Sequence, residues 1–201
     1  LLNLATNYSE MGELDRALEL LYDGISICEK LGERGLIYSS FCNNIAVVNI
    51  KNKNYRQALD YQLKNLQILC ENEESVVKIC ISIMNLADIY MGLEDGSKAL
   101  LLLKLSNEVI SKKLGASHPI YSNILNNLSR VNYQMGNTEE ALKLLEESRE
   151  ILVKTQGKES NNYKRVISNI DYIERKSIGK VYINIDKLSP GQINSYNLYT
   201  N

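Results

Sequence analysis

The 201-residue chain lacks Trp, has one Phe and one His, and carries only two Pro and 11 Gly. So few chain breakers exclude a turn-dense β fold and a disordered linker. No charge of one sign dominates, since 23 Lys and Arg face 24 Asp and Glu. Without a cationic excess, nucleic acid is not expected as the main partner, because phosphate binding needs a basic face. No run approaches the roughly 18 consecutive apolar residues of a membrane span; the longest block, Ala99 to Leu103, is closed at once by Lys104. A cationic start with a short apolar segment, the mark of a signal peptide, is also missing. The four cysteines, Cys28, Cys42, Cys70 and Cys80, fall in no C-x-x-C spacing, so neither a zinc site nor a disulfide framework is expected. Reduced, mostly buried thiols fit a cytoplasmic protein. The first residue is Leu and not Met, which reads as a fragment or a processed form.

What is present is a repeat. Asn3-Leu4-Ala5, Asn44-Ile45-Ala46, Asn85-Leu86-Ala87 and Asn127-Leu128-Ser129 recur at intervals of 41, 41 and 42 residues. Ala17-Leu18, Ala58-Leu59, Ala99-Leu100 and Ala141-Leu142 recur in the same register, each Ala 14 residues after its Asn. A fixed period of this length marks a stacked array of helical hairpins. Within the first unit Leu4, Ala5 and Tyr8 lie at helical spacing, Gly12 marks a turn, and Leu14, Ala17, Leu18, Leu21 and Ile25 continue at a period near 3.6. First helices are expected over about 1–11, 35–51, 74–92, 118–135 and 160–178, and second helices over about 14–31, 55–71, 96–114 and 138–156. The turn slot reads Gly12, Lys53, Glu94 and Gly136. Gly supplies a left-handed helix end there; where it is absent, Asn52 and Gly92 or Gly96 are expected to take that conformation. Ser117 or a neighbour is expected to cap the helix that Pro119 opens.

The pattern Asn-Leu-Ala-x-x-Tyr-x-x-x-Gly followed by Ala-Leu, as in Asn3 to Leu18 and Asn127 to Leu142, resembles the tetratricopeptide repeat family. Units of 41 or 42 exceed the usual 34 residues and are more similar to the kinesin light chain type of repeat. The Leu31-Gly32-Glu33-Arg34 link resembles those of bacterial peptide-sensing regulators. The resemblance covers residues 1 to about 178 and implies an all-α, right-handed α-solenoid of antiparallel helix pairs. Repeats are placed at about 1–34, 35–73, 74–116 and 117–158, with a capping helix at 160–178 and a non-repeat tail at 179–201. In the tail, Val181 to Ile185 alternates as a strand does, and Ser189-Pro190-Gly191 marks a turn. That strand could lie in its own groove or be part of a linker.

In this family the first helices line a concave groove and the repeated Asn points into it. Carried over by position, the groove residues are Asn3, Asn44, Asn85, Asn127 and Asn169. Neighbours at helical spacing add Asn43, Val47, Lys51, Asp88, Asn123, Asn126 and Arg130, and Tyr133 and Tyr172 lean the same way. A carboxamide offers one acceptor and one donor group, matching the C=O and N–H of an extended peptide. The alternative is that these Asn residues cap local backbone or bridge adjacent repeats. A Lys and Arg clamp for a C-terminal carboxylate is not expected, because Leu2, Asn43, Met84, Asn126 and Ser168 precede the repeated Asn.

No catalytic constellation accompanies the repeat, so an enzyme is not expected, nor is any cofactor or metal. His118 has no paired nucleophile or second ligand. Glu139, Glu140, Glu146 and Glu147 read as a solvated face. Gly92 to Gly96 lacks the Lys of a phosphate loop. Lys158, Lys164, Arg165, Arg175, Lys176 and Lys180 outnumber Glu159, Asp171 and Glu174, a patch read as the wet face of a capping helix. The expected function is an adaptor that grips a protein or extended peptide; the alternative is the sensing half of a larger switch whose effector domain lies elsewhere.

Overall fold

The computed structural model describes residues 1–185. They form nine α-helices and no strand: α1 (Leu2–Glu10), α2 (Leu14–Lys30), α3 (Leu36–Lys51), α4 (Tyr55–Glu71), α5 (Val76–Gly92), α6 (Gly96–Leu114), α7 (Pro119–Gln134), α8 (Thr138–Thr155) and α9 (Asn161–Ile185). Each helix packs on the next. The odd-numbered helices also touch along the stack, α1 with α3, α3 with α5, α5 with α7 and α7 with α9, whereas even-numbered helices meet only weakly if at all. The odd helices are therefore the tighter, inner side of an all-α solenoid. Ala17, Ala58, Ala99 and Ala141 are fully buried; a larger side chain at any of them would push a hairpin apart, at a cost of about 1–3 kcal/mol.

Backbone conformation sets the turns. Within each hairpin the last turn closes with paired bonds, such as Glu13 N–H to Tyr8 C=O (2.9 Å) with Gly12 N–H to Ser9 C=O (3.4 Å), and Asp95 N–H to Tyr90 C=O (2.8 Å) with Glu94 N–H to Met91 C=O (3.1 Å). This geometry places one residue at positive φ. That residue is Gly12 (82°), Lys53 (61°), Glu94 (64°) or Gly136 (88°). The expectation that Asn52, Gly92 or Gly96 would substitute at the non-glycine turns is corrected: Asn52 has φ −82°, Gly92 closes α5 and Gly96 opens α6. The hydrogen-bond pair fixes which residue must turn, and Lys53 and Glu94 comply. A second positive-φ position, between hairpins, holds Gly32, Glu73, Gly115 and Gly157. At α7 the cap is His118, whose Nδ1 accepts the Ile120 N–H at 3.2 Å, with Pro119 as the first helical residue.

α9 runs unbroken to Ile185, so the strand expected over Val181–Ile185 does not form. One further backbone bond per added residue outweighs the weak strand preference of Val, Ile and Tyr where no proline intervenes. The turn expected at Ser189-Pro190-Gly191 lies outside the described residues.

Junctions between successive hairpins reuse two slots. Leu21 of α2 and Phe41 of α3 lie in one apolar cluster, Leu103 and Ile124 in another, and Leu145 and Val166 in a third. The same two slots at the second junction hold Gln62 of α4 and Ser82 of α5, both buried. Gln62 Nε2 donates to Ser82 Oγ (2.9 Å) and to its C=O (3.1 Å), and Asn65 Nδ2 donates to Ser82 Oγ (3.0 Å). Ser39 Oγ donates to Asn65 Oδ1 at 2.7 Å. This junction alone is bridged by amides and hydroxyls at those slots, and only a small apolar cluster of Ala58, Leu86 and Ile89 lies beside it.

Candidate functional site

The inner face is built from residues near the middle and ends of α1, α3, α5, α7 and α9, whose parallel stacking brings equivalent positions close. Five polar rungs cross it. Lys51 Nζ donates to Ser9 Oγ (2.8 Å) and C=O (3.1 Å). Asn85 Nδ2 donates to Asn43 Oδ1 (3.1 Å), Asn169 Nδ2 to Asn126 Oδ1 (2.7 Å) and an Arg165 guanidinium N–H to Asn123 Oδ1 (2.8 Å). Arg130 and Asp88 form a half-exposed ion pair. Loss of solvent raises the Asp88 carboxyl pKa, and the Arg130 charge opposes that shift. The rungs join residues 42 or 43 apart; Asp88–Arg130 and Asn123–Arg165 join equivalent slots of neighbouring repeats, and the other three rungs are one residue beyond the repeat. At Asn85 and Asn169 the repeated Asn stands opposite the residue that precedes the repeated Asn one hairpin back.

That offset decides which carboxamides are engaged. Asn85 and Asn169 stand opposite Asn43 and Asn126 and bond to them. By the spacing of the Lys51–Ser9 rung, Asn44 stands opposite Leu2, which offers no acceptor. Asn44 turns its Nδ2 to the Ser40 C=O at 2.9 Å, and Asn127 makes no side-chain hydrogen bond to the described residues. Asn3 on α1 is exposed and Val47 half-buried. The row is therefore uneven, with members spent on bridging alternating with members left open. Ser9 and Arg165 complete two rungs but occupy no slot that the repeated Asn points to; complementary polar types one residue beyond the repeat period for Ser9, and at the period itself for Arg165, are the signal that finds them.

Two clefts open on this face. One, of about 240 Å³, lies between α3 and α5 over α4 and is lined by Asn43, Asn44, Ser39, Asn65, Ser82 and Lys78 among others. The other, of about 330 Å³, lies between α7 and α9 and is lined by Asn126, Arg130, Tyr133, Asn169 and Tyr172. Tyr133 and Tyr172 meet edge to face with ring centres 6.0 Å apart, and Lys176 Nζ sits 6.0 Å from the Tyr172 ring centre. Of the expected groove residues, Asn43 and Asn44 meet at the first cleft, and Asn126, Arg130, Tyr133 and Asn169 at the second. Lys51, Asp88 and Asn123 are held in rungs, and Asn3, Val47 and Asn127 lie outside both clefts.

Among the described residues no group of three His, Cys, Asp or Glu is placed to hold a metal ion, and no helix is long and apolar enough to cross a membrane.

Two tetratricopeptide repeat family models match the chain, one over residues 79–152 and one over residues 1–31. No curated protein matches it. Solved structures do. A single-substitution form of a kinesin light chain-type protein of Podosopora anserina, with nearly identical TPR-like repeats, superposes with a TM-score of 0.70 at 21% identity, covering 92% of this chain and 91% of that one. BtubC (BKLC) from P. vanneervenii gives 0.69 at 17% identity over 82% of this chain and 66% of that one. The apo form of RapI gives 0.66 at 21% identity over 91% of this chain and 70% of that one. At such identities the likeness is one of fold. The internal repeat, the hairpin stack and both family matches agree, and the chain belongs to the tetratricopeptide repeat family.

Proposed function

We propose that the chain is a protein-binding repeat scaffold that holds an extended peptide segment along the inner face of the odd helices. The observation that carries this reading is the row of half-buried Asn side chains at one slot of one face, ending in a cleft on each side. Asn44 Oδ1 and both polar atoms of Asn127 are free to meet peptide N–H and C=O groups, and Asn85 keeps an acceptor beside its rung. Each such bond contributes about 0.5–1.5 kcal/mol net, so several are needed for a useful affinity. Affinity capture from a native lysate tests this, with the parent compared against Asn44→Ala/Asn85→Ala/Asn127→Ala of verified helicity. A partner held by the parent and lost by the variant supports the groove; partners retained by both overturn it.

A second reading, the sensing half of a switch, draws on the rungs. A peptide that takes the Asn85 or Asn169 amide breaks a bond between neighbouring hairpins, and the pitch of the solenoid then relaxes. Small-angle scattering with the captured peptide distinguishes the two: a changed radius of gyration supports the sensor, an unchanged one the rigid adaptor.

A further inference from the structure

We infer that the α3–α5 cleft is a recognition site for a short acceptor-bearing side chain, a carboxamide or a carboxylate, held by donors of the polar junction beneath it. The site rests on the groove reading only in that its guest arrives as part of a bound peptide.

The repeat register sets this junction apart. At three of four junctions the paired slots hold Leu with Phe, Ile or Val, all buried. Only here are they Gln62 and Ser82, and only here does an amide, Asn65, fill the slot that holds Gly24, Ser106 and Ser148 elsewhere. This arrangement is not the stable solution for a core. Gln62 Oε1 is buried without a partner, and an unpaired buried acceptor forfeits its bond to water.

Counting donors gives the guest. Ser82 Oγ accepts from both Gln62 and Asn65, which leaves its own O–H unspent on them. Asn65 Oδ1 is taken by Ser39, and one of the two Asn65 N–H groups is spent on Ser82. What remains at the buried floor, on Asn65 and Ser82, is a hydroxyl proton and an amide proton; the rim adds the Lys78 ammonium, which also touches Glu74 at 3.0 Å, amide N–H groups of Asn43 and Asn44, and the free Asn44 Oδ1. A floor with two unspent protons takes an acceptor at its buried end, and the Asn44 Oδ1 at the rim is left to the backbone of the bound peptide. Leu36, Leu69 and Ile81 supply the apolar walls that strengthen those bonds by excluding water.

The test is a titration of the 15N-labelled full chain with three blocked amino acids: N-acetyl-asparagine N-methylamide, N-acetyl-aspartate N-methylamide and N-acetyl-leucine N-methylamide. Either of the first two is expected to shift the Asn65 side-chain NH2 and the Ser39 and Ser82 amides saturably, at least fivefold more tightly than the Leu probe. Gln62→Leu/Ser82→Ile, which installs the Leu103 and Ile124 pair of the next junction, is expected to abolish the response while raising the urea midpoint. Asn65→Ser, the residue of the equivalent slot in α6 and α8, is expected to weaken it at least fivefold and serves if the double variant does not fold. Equal response to all three probes, no saturable response, or an unchanged response in the folded variants overturns the site. Because these probes are single residues, failure here leaves the peptide groove standing, and loss of the groove in the capture experiment leaves this site standing.

Discussion

Each turn, within a hairpin or between two, asks one residue to adopt a conformation that a Cβ resists, and the chain answers with glycine at some repeats and with Lys53, Glu73 or Glu94 at others. For an L residue the left-handed region costs about 1–2 kcal/mol. Glycine escapes that cost but gives back about 0.5–1 kcal/mol through the freedom of its unfolded state. Lys53→Gly is therefore expected to stabilise by about 0.5–1 kcal/mol after this offset, and Gly136→Ala to destabilise by about 0.5–1 kcal/mol on the same balance, as measured by urea unfolding. Nothing lies within 4 Å of a Cβ built on Gly136, so the second effect is one of backbone alone. Gly24 differs: its Cβ would lie 2.1 Å from the Phe41 ring, and the helices α2 and α3 meet there because no side chain intervenes.

Ionisation at high pH also belongs to single residues. Burial pushes the Cys42 thiol from 9.0 up to about 11 and the Tyr61 hydroxyl from 10.0 up to about 12. Both folded values lie above the unfolded ones, so the stability they confer is complete below pH 9 and is lost as pH rises through 9 to 12. Urea midpoints measured across that window are expected to fall steadily, and Tyr61→Phe is expected to flatten the decline between 10 and 12. An unchanged slope in that variant would place the effect elsewhere.

At the scale of helices and their contacts, the rungs make one face of the stack polar without making it rigid. The Arg130 and Asp88 side chains are 40% and 36% exposed, and a pair in that setting contributes about 0.2–1 kcal/mol. A double-mutant cycle with Arg130→Ala and Asp88→Ala is expected to give a coupling in that range, halved or lower at 1 M salt where screening is strong. Helix positions were readable from the sequence because apolar period and repeat register report the same thing twice: α4 and α6 run over the expected 55–71 and 96–114. Three of the five rungs were not, because a repeat aligns equivalent slots, while Ser9–Lys51, Asn43–Asn85 and Asn126–Asn169 join slots shifted by one. A strand-like alternation in five residues, Val181 to Ile185, is likewise too short to outvote a helix already propagating from Asn161.

Across the whole molecule, stability is a chain of neighbour contacts, each hairpin leaning on the next. Such an array is as strong as its junctions, and these are unequal. Replacing Gln62 and Ser82 by Leu and Ile returns apolar burial of about 1.5–3 kcal/mol per side chain and removes an unpaired acceptor, against the loss of hydrogen bonds contributing about 0.5–1.5 kcal/mol each. The double variant is expected to gain roughly 1–4 kcal/mol on that balance. Its unfolding transition should also steepen as the two halves become better coupled, which calorimetry reads as a narrower peak.

The one-residue offset of the Ser9–Lys51 and Asn43–Asn85 rungs also limits how such a chain can change its length. A recombination that deletes 41 residues preserves the Ala and Leu slots, so the joined hairpins still interlock. On the inner face the same deletion sets Ser9 opposite Gly92 in place of Lys51, Asn85 opposite Leu2 in place of Asn43, and Leu21 against Ser82 in place of Phe41. Units are thus exchangeable as packing modules but not as neighbours, and a gene that gains or loses a whole repeat inherits a sound framework with a rewritten inner surface.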